Sequence, residues 1–235
     1  MATLLILDAS STYCSVALIR GDQTFELTEL QPRRHAQRLL PMVDELLAAN
    51  GVARQEVEGV AFGRGPGSFT GIRIAISVAQ GISLGLDIPV YGFSSLRVVA
   101  QQVMMSSSAT RVMVVMDAHM GEVFWGAFEL RDGLAMAISA EQVGSPARCA
   151  ADLLAFDGVI AGNGIKVAGV VDDQVRVHAE AVLDDVEPLA GFAAPLVCSA
   201  WMLGKFAGAD QYAPVYLRDS VAWKKLDEQP SLLKR

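Results

Sequence analysis

Cysteine is scarce in this chain: only Cys14, Cys149 and Cys198 occur, odd in number and far apart. No CxxC pair or Cys/His cluster exists, so neither a disulfide frame nor a zinc site is expected. Thiols so placed read as buried and inert, which fits a reducing compartment. Histidine is equally sparse. His35, His119 and His178 never stand four residues apart, which leaves no HxxxH or HExxH metal helix. Positive charge is in deficit, with 19 Lys and Arg against 26 Asp and Glu and a net charge of −7. Phosphate neutralisation needs a basic surface, so the chain is not expected to grip nucleic acid by itself. Gly-Lys-Ser/Thr is missing, which excludes a Walker A loop, and a GxSxG elbow is missing too. Asp, Arg and glycine-rich turns interrupt the apolar runs, so none is expected to cross a bilayer. The first residues carry no basic leader and no cleavage site. The expected location is the cytoplasm.

What is present is a hydrophobic fraction of 52%, which decides against disorder. Residues 3–7 form a nearly continuous apolar run, suited to a strand buried on both faces. A polar turn at 8–12, a strand at 13–19, the Gly21-Asp22 hairpin signal and a strand at 24–30 follow. A helix is expected over 34–49, where Leu39, Leu40, Met42, Val43, Leu46 and Leu47 fall on an arc of roughly 160°. Pro41 must lie in its first turns or kink it, and Asn50-Gly51 closes it. Next come a strand at 59–62, a glycine-rich loop, a helix at 71–86, a strand from 89 to 93 and a third helix capped by Ser94-Ser95. The first hundred residues thus read β-β-β-α-β-α-β-α.

A second copy of this plan follows the small polar segment 105–110. An apolar strand at 112–116 ends in Asp117-Ala118, as 4–7 ends in Asp8-Ala9. Residues 122–130 mirror 15–19, and Gly158 to Gly162 mirror Gly59 to Gly63. A duplicated β-β-β-α-β-α unit is the plan of the actin-like (ASKHA) class, a ribonuclease-H-like α/β fold in two lobes, and that plan alone says nothing of chemistry. The expected division is an N-terminal lobe over 1–104, a C-terminal lobe over 105–195, and a helix and tail over 196–235 returning to the first lobe. That last helix would carry Val197, Trp201, Leu203 and Phe206.

The most distinctive segment is Gly63-Arg64-Gly65-Pro66-Gly67-Ser68-Phe69-Thr70-Gly71-Ile72-Arg73. Glycines between strand and helix allow tight turns, and helix N-terminal amides can take an anion. Asp8, Ser10, Gly65, Gly67, Ser68, Thr70 and Gly71 are therefore candidates for nucleotide or anion binding. A structural turn, or a contact surface shaped by Phe69 and Arg73, is the other reading. Asp8 and Asp117 face the same choice between a Mg²⁺ cleft and strand ends bonded to local amides. The helix after the loop spreads Ile72, Ile74, Ile76, Val78, Ile82 and Leu86 over roughly 200°, wider than a surface helix needs. It is either internal or covered by a partner. The basic run from Arg33 to Arg38 reads as a solvated helix start or as a contact for an acidic or RNA-bearing partner.

Taken in order along nearly the whole chain, several motifs resemble the bacterial TsaB (YeaZ) family. They are Leu5-Ile6-Leu7-Asp8-Ala9-Ser10, the helix start at His35 with Pro41, Gly65 to Gly71 leading into Ile72-Arg73-Ile74, and Ser94-Ser95-Leu96. Asp117-Ala118-His119-Met120-Gly121-Glu122-Val123 and Pro214-Val215-Tyr216-Leu217-Arg218 complete the set, with His119 where Arg is expected. The resemblance implies an actin-like fold and a non-catalytic subunit without cofactor. That subunit pairs with TsaD, the transferase forming N6-threonylcarbamoyladenosine at position 37 of tRNAs that read codons beginning with A. It implies TsaE as a further partner, tRNA contact only through the complex, and a homodimer when TsaD is absent. TsaD-like proteins hold a metal through HxxxH on the helix after the strand matching 89–93; residues 94–101 here contain no histidine. The partner surface it implies lies on the first-lobe helices, at His35, Leu39, Val43, Phe69, Arg73, Ile76, Val78 and Ile82. The competing class is an actin-like kinase or ATPase acting on a small molecule through Asp8 and Asp117.

Overall fold

A computed structural model describes residues 2–31, 33–215 and 217. β1 (Thr3–Asp8) is the axis of the first sheet. It pairs antiparallel with β2 (Tyr13–Arg20), Leu5 opposite Leu18, and β2 pairs with β3 (Gln23–Leu30). On its other side β1 runs parallel to β4 (Gly59–Gly63), and β4 runs parallel to β5 (Val90–Phe93). The order is β3-β2-β1-β4-β5. Every residue of β1 after Thr3 is buried, because helices cover both faces of the sheet.

α1 (His35–Ala49) joins β3 to β4, α2 (Phe69–Leu86) joins β4 to β5, and α3 (Ser95–Ser106) follows β5. On one face Leu5, Leu7, Val16, Leu18, Val60 and Phe62 meet Leu39, Met42 and Leu46 of α1 and Ile72, Ala75 and Ile76 of α2. On the other, Leu4, Ile6, Ala17 and Ala61 meet Val98 of α3 and Leu196 and Val197 of α6 (Ala194–Met202). Pro41 lies inside α1 without ending it.

The second sheet repeats the first. β6 (Arg111–His119) pairs antiparallel with β7 (Glu122–Arg131), which pairs with β8 (Leu134–Ala137). β10 (Val159–Ala161) runs parallel to β6, and β11 (Ala181–Leu183) runs parallel to β10. Counting from the axial strand, this order matches that of the first sheet. The copy is reduced. α4 (Pro146–Leu154) matches α1, and the 6-residue α5 (Asp173–His178) stands where α2 has 18 residues. A short extra strand, β9 (Gln142–Gly144), pairs with β7.

α3 lies between the sheets. Leu96, Val99, Ala100, Val103 and Met104 enter the core of the second sheet, whereas Val98 enters that of the first. Gln101 fixes the arrangement, donating to Gly133 O at 3.0 Å and accepting from Ala135 N at 2.8 Å.

Three expectations need correction. α2 has a mean hydropathy of 1.4 and is the one helix among the described residues long and apolar enough to cross a membrane. Its glycines do not interrupt it, since a helix interior tolerates them at modest cost. Its inner side packs on β4 and α1, as a core helix does. The last helix ends at Met202. Leu203 is exposed, and Phe206 lies beyond the helix, its ring centroid 4.8 Å from that of Trp201 and 5.5 Å from that of Tyr91. Cys14 and Cys149 are buried but Cys198 is only half-buried.

After α6 the chain crosses the first sheet again. Ala207 bridges Val90, and Val215 N donates to Arg64 O at 2.9 Å. Tyr216 and Arg218 of the last family motif lie outside the described residues.

Candidate partner-binding groove and the adjoining cleft

α1 and α2 lie side by side on the first sheet and bury only their inner faces. Between their outer faces runs a groove of about 570 Å³, lined by Leu40, Val43, Leu47, Val78, Ile82 and Leu86. Asp44 and Arg54 form its polar edge, joined by two hydrogen bonds of 2.9 Å. A Cβ added at Gly81 or Gly85 would meet nothing within 4 Å, so a facing backbone could approach α2 closely there. About a third of α2 is buried, which decides against a fully internal helix.

The eight interface candidates divide. His35, Leu39, Val43 and Ile76 are buried in the chain's own packing, because the inner side of α1 lies on β2 and that of α2 on β4. Only Val43 among these also lines the groove. His35, Leu39 and Ile76, expected as contact residues, are core residues here. Val78 and Ile82 are half-buried and line the groove. Phe69 is exposed, with the Arg73 guanidinium 3.3 Å above its ring centre, a cation–π pairing at the start of α2. Leu40 and Leu84, 47% and 78% exposed, were not picked out. Leu40 belongs to the apolar arc of the first helix, and the surplus width of the two arcs is the signal that some of their members stay outside the core. Arg38 is shared between Glu29 and Glu45, so the basic run begins the helix in an ion-pair cluster.

The cleft lies where β1 and β6 end. Asp8 is fully buried, and its Oδ1 accepts from Ser10 N at 2.8 Å and Ser10 Oγ at 2.7 Å. Oδ2 has no hydrogen-bond partner and lies so close to Gly63 that a Cβ there would sit 2.1 Å from it. Burial pushes the Asp8 carboxyl up to about 6, the Ser10 bonds oppose the shift, and Glu187 adds to it. Burial also raises Glu187, whose carboxylate accepts from Asn163 Nδ2 at 3.0 Å. Asn163 Oδ1 in turn accepts from Asp117 N, and Asp117 Oδ1 accepts from His119 N at 2.7 Å. Each aspartate of the duplicated pair thus bonds the amide two residues on, ending its strand. Among the described residues no group of three or more His, Cys, Asp or Glu side chains could hold a metal ion.

The glycine loop is pressed against that same turn. Ser68 N donates to Ser10 O at 2.7 Å, and Ser68 Oγ accepts from Gly71 N at 3.2 Å, capping α2. A Cβ at Gly67 would come within 2.4 Å of Ser10 O, and one at Gly71 within 1.8 Å of Ala9 O. Gly65 has φ +102° and packs on Ile72. The close approach these glycines permit is to the chain's own backbone. Thr70 is exposed at the start of the helix. Six of the seven anion candidates therefore lie in or against one packed turn, and Thr70 stands outside it.

Two sheets of the same strand order, helices between and outside them, and an axial strand ending in Asp-Ala in each define a duplicated ribonuclease-H-like protein of the actin-like class. The family model for TsaD, tRNA N6-adenosine threonylcarbamoyltransferase, matches residues 27–168. The chain is 37% identical to the tRNA threonylcarbamoyladenosine biosynthesis protein TsaB of Escherichia coli K12, covering 95% of this chain and 97% of that one. It is 35% identical to the TsaB protein of Haemophilus influenzae over the same shares. YeaZ from Pseudomonas aeruginosa superposes with a TM-score of 0.84 at 40% identity, covering 92% of this chain and all of that one. A second P. aeruginosa structure, described as similar to peptidase YeaZ, superposes with a TM-score of 0.86 at 41% identity, covering 93% and 100%. The chain belongs to the TsaB (YeaZ) family.

Proposed function

We propose that this protein is a non-catalytic subunit that binds and supports a TsaD-type transferase in forming N6-threonylcarbamoyladenosine at position 37 of tRNAs reading codons that begin with A. The observation that carries this reading is the apolar groove between α1 and α2, left uncovered by the described residues. A second helical surface laid along it would bury Leu40, Val78 and Ile82. The E. coli and H. influenzae relatives are tRNA threonylcarbamoyladenosine biosynthesis proteins, which supports this pathway. One carboxylate oxygen of each aspartate bonds the amide two residues on, as a strand end does, and no metal-binding cluster stands among the described residues, which supports a subunit role. With a net charge of −7 the chain meets tRNA through the complex, in the cytoplasm, with TsaE as a further partner. Without TsaD the same groove serves a homodimer.

Size-exclusion chromatography with light scattering tests this, on the chain alone and mixed with TsaD from the same source. A stoichiometric complex that replaces any homodimer is expected. Separate elution, with TsaE and nucleotide also present, overturns the partner role.

A further inference from the structure

The second lobe repeats the groove as well as the sheet. α4 and α5 stand where α1 and α2 do, and they touch. Between the end of α4 and α5 lies a second groove of about 560 Å³, lined by Leu154, Asp173, Gln174, Val177 and His178. Its two aliphatic members come from different helices. Leu153 is buried in the core of the lobe, so Leu154, about 100° further round α4, turns outward and is 40% exposed. Val175 is buried likewise. Val177, about 200° from it, is 87% exposed, the highest value among the large apolar side chains described. Asp172 Oδ1 accepts from Val175 N at 2.9 Å and caps α5, which fixes where the helix starts and so which residue faces out.

A single exposed aliphatic side chain is ordinary on a protein surface. Here two converge on one concavity, and the charge beside them is of one sign. Residues 172–187, which hold α5 and β11, carry six acidic side chains and one basic, a net −5 in a chain of −7. Asp173 lines the groove, and Asp172 and Glu180 are exposed at the two ends of α5. The α1–α2 groove differs, because its Asp44 is paired with Arg54. An acidic rim repels a phosphate backbone and favours Lys and Arg.

We propose that the α4–α5 groove is a second docking surface, taking a basic segment of a protein partner with an aliphatic anchor seated between Leu154 and Val177. Lys or Arg side chains flanking that anchor meet Asp172, Asp173 and Glu180. The site shares no lining residue with the α1–α2 groove, so it stands whether or not that groove receives TsaD.

Fluorescence anisotropy tests this, with the full chain titrated into a labelled synthetic peptide of repeating Lys-Leu-Lys-Lys at low ionic strength. Binding is expected to weaken about tenfold in Val177→Ser and about threefold in Asp173→Asn. It should be unchanged in Leu40→Ser, on the other groove. A peptide with Ser in place of Leu should bind about tenfold more weakly. Circular dichroism checks that both second-lobe variants stay folded, as the exposure of both side chains leads one to expect. No binding, or equal binding by Val177→Ser or by the serine peptide, overturns the proposal. A loss confined to Leu40→Ser overturns it in favour of the α1–α2 groove, and tighter binding of polyuridylate than of the peptide overturns it in favour of RNA. Light scattering reads the remaining occupant: a dimer of the unaltered chain that Val177→Ser separates overturns it in favour of a second copy.

Discussion

Asp8 and the glycines around it show how a few ångströms separate a binding loop from a packed turn. The carboxyl of Asp8 is raised by burial from an ordinary 3.8 to about 6. A raised acid favours the folded state fully below pH 3.8, and that contribution is lost as pH rises through about 6. A shift of this size corresponds to about 3 kcal/mol. Asp8→Asn removes the ionisation, so its stability relative to the unaltered chain should improve by up to that amount between pH 4 and pH 7. Urea unfolding at both pH values measures it, and a constant difference would show that Asp8 is not strained by its charge. Gly71 and Gly81 form a second contrast, both within α2. Gly71→Ala drives a Cβ into the Ala9 carbonyl and should cost about 3 kcal/mol. Gly81→Ala meets open space in a helix interior and should stabilise by about 1 kcal/mol. Equal effects in thermal melts would mean that the turn at residues 8–10 yields readily. The sequence held the glycines and the aspartate in plain view, but not that they face one another. Residues some sixty apart in the chain meet only because β1 and β4 are paired.

At the level of elements, α1 and α2 carry the functional argument. Each has an apolar arc wider than its seat on the sheet can cover, and the excess becomes the walls of the groove. Neighbouring positions on α2 should therefore respond differently. Ile76→Glu buries an unpaired carboxylate in the core and should unfold the protein or cost about 4 kcal/mol. Val78→Glu sits at the half-buried wall and should leave the fold intact while weakening TsaD binding by about 3 kcal/mol. Circular dichroism and a binding titration on both variants separate the outcomes. A folded Val78→Glu protein with unchanged affinity would remove this wall from the interface. Periodicity made both helices legible to within two residues of their observed bounds, and capping by Ser68 and Ser94 explains where α2 and α3 begin. What periodicity does not give is direction, at Ile76 inside and Leu40 outside, because it measures an arc and not which neighbour covers it.

For the whole molecule, the two sheets share α3, whose apolar residues enter both cores. Neither lobe closes its core without that helix, so unfolding should be a single transition. Far-ultraviolet dichroism and tryptophan fluorescence, with Trp125 in the second sheet and Trp201 against the first, should give coincident urea curves. Two separate midpoints would show that the lobes are independent. The sequence by itself determined the α/β class, the duplicated order of strands and the family, because alternation, apolar runs and motif residues are local properties written in consecutive positions. It also carried the surplus of apolar surface on α1 and α2. Tertiary structure alone decided which of those residues are core and which are wall, that the glycine loop presses on its own chain, and that α3 belongs to both sheets. These are facts about distant segments meeting, set by strand register and by which helix covers which face.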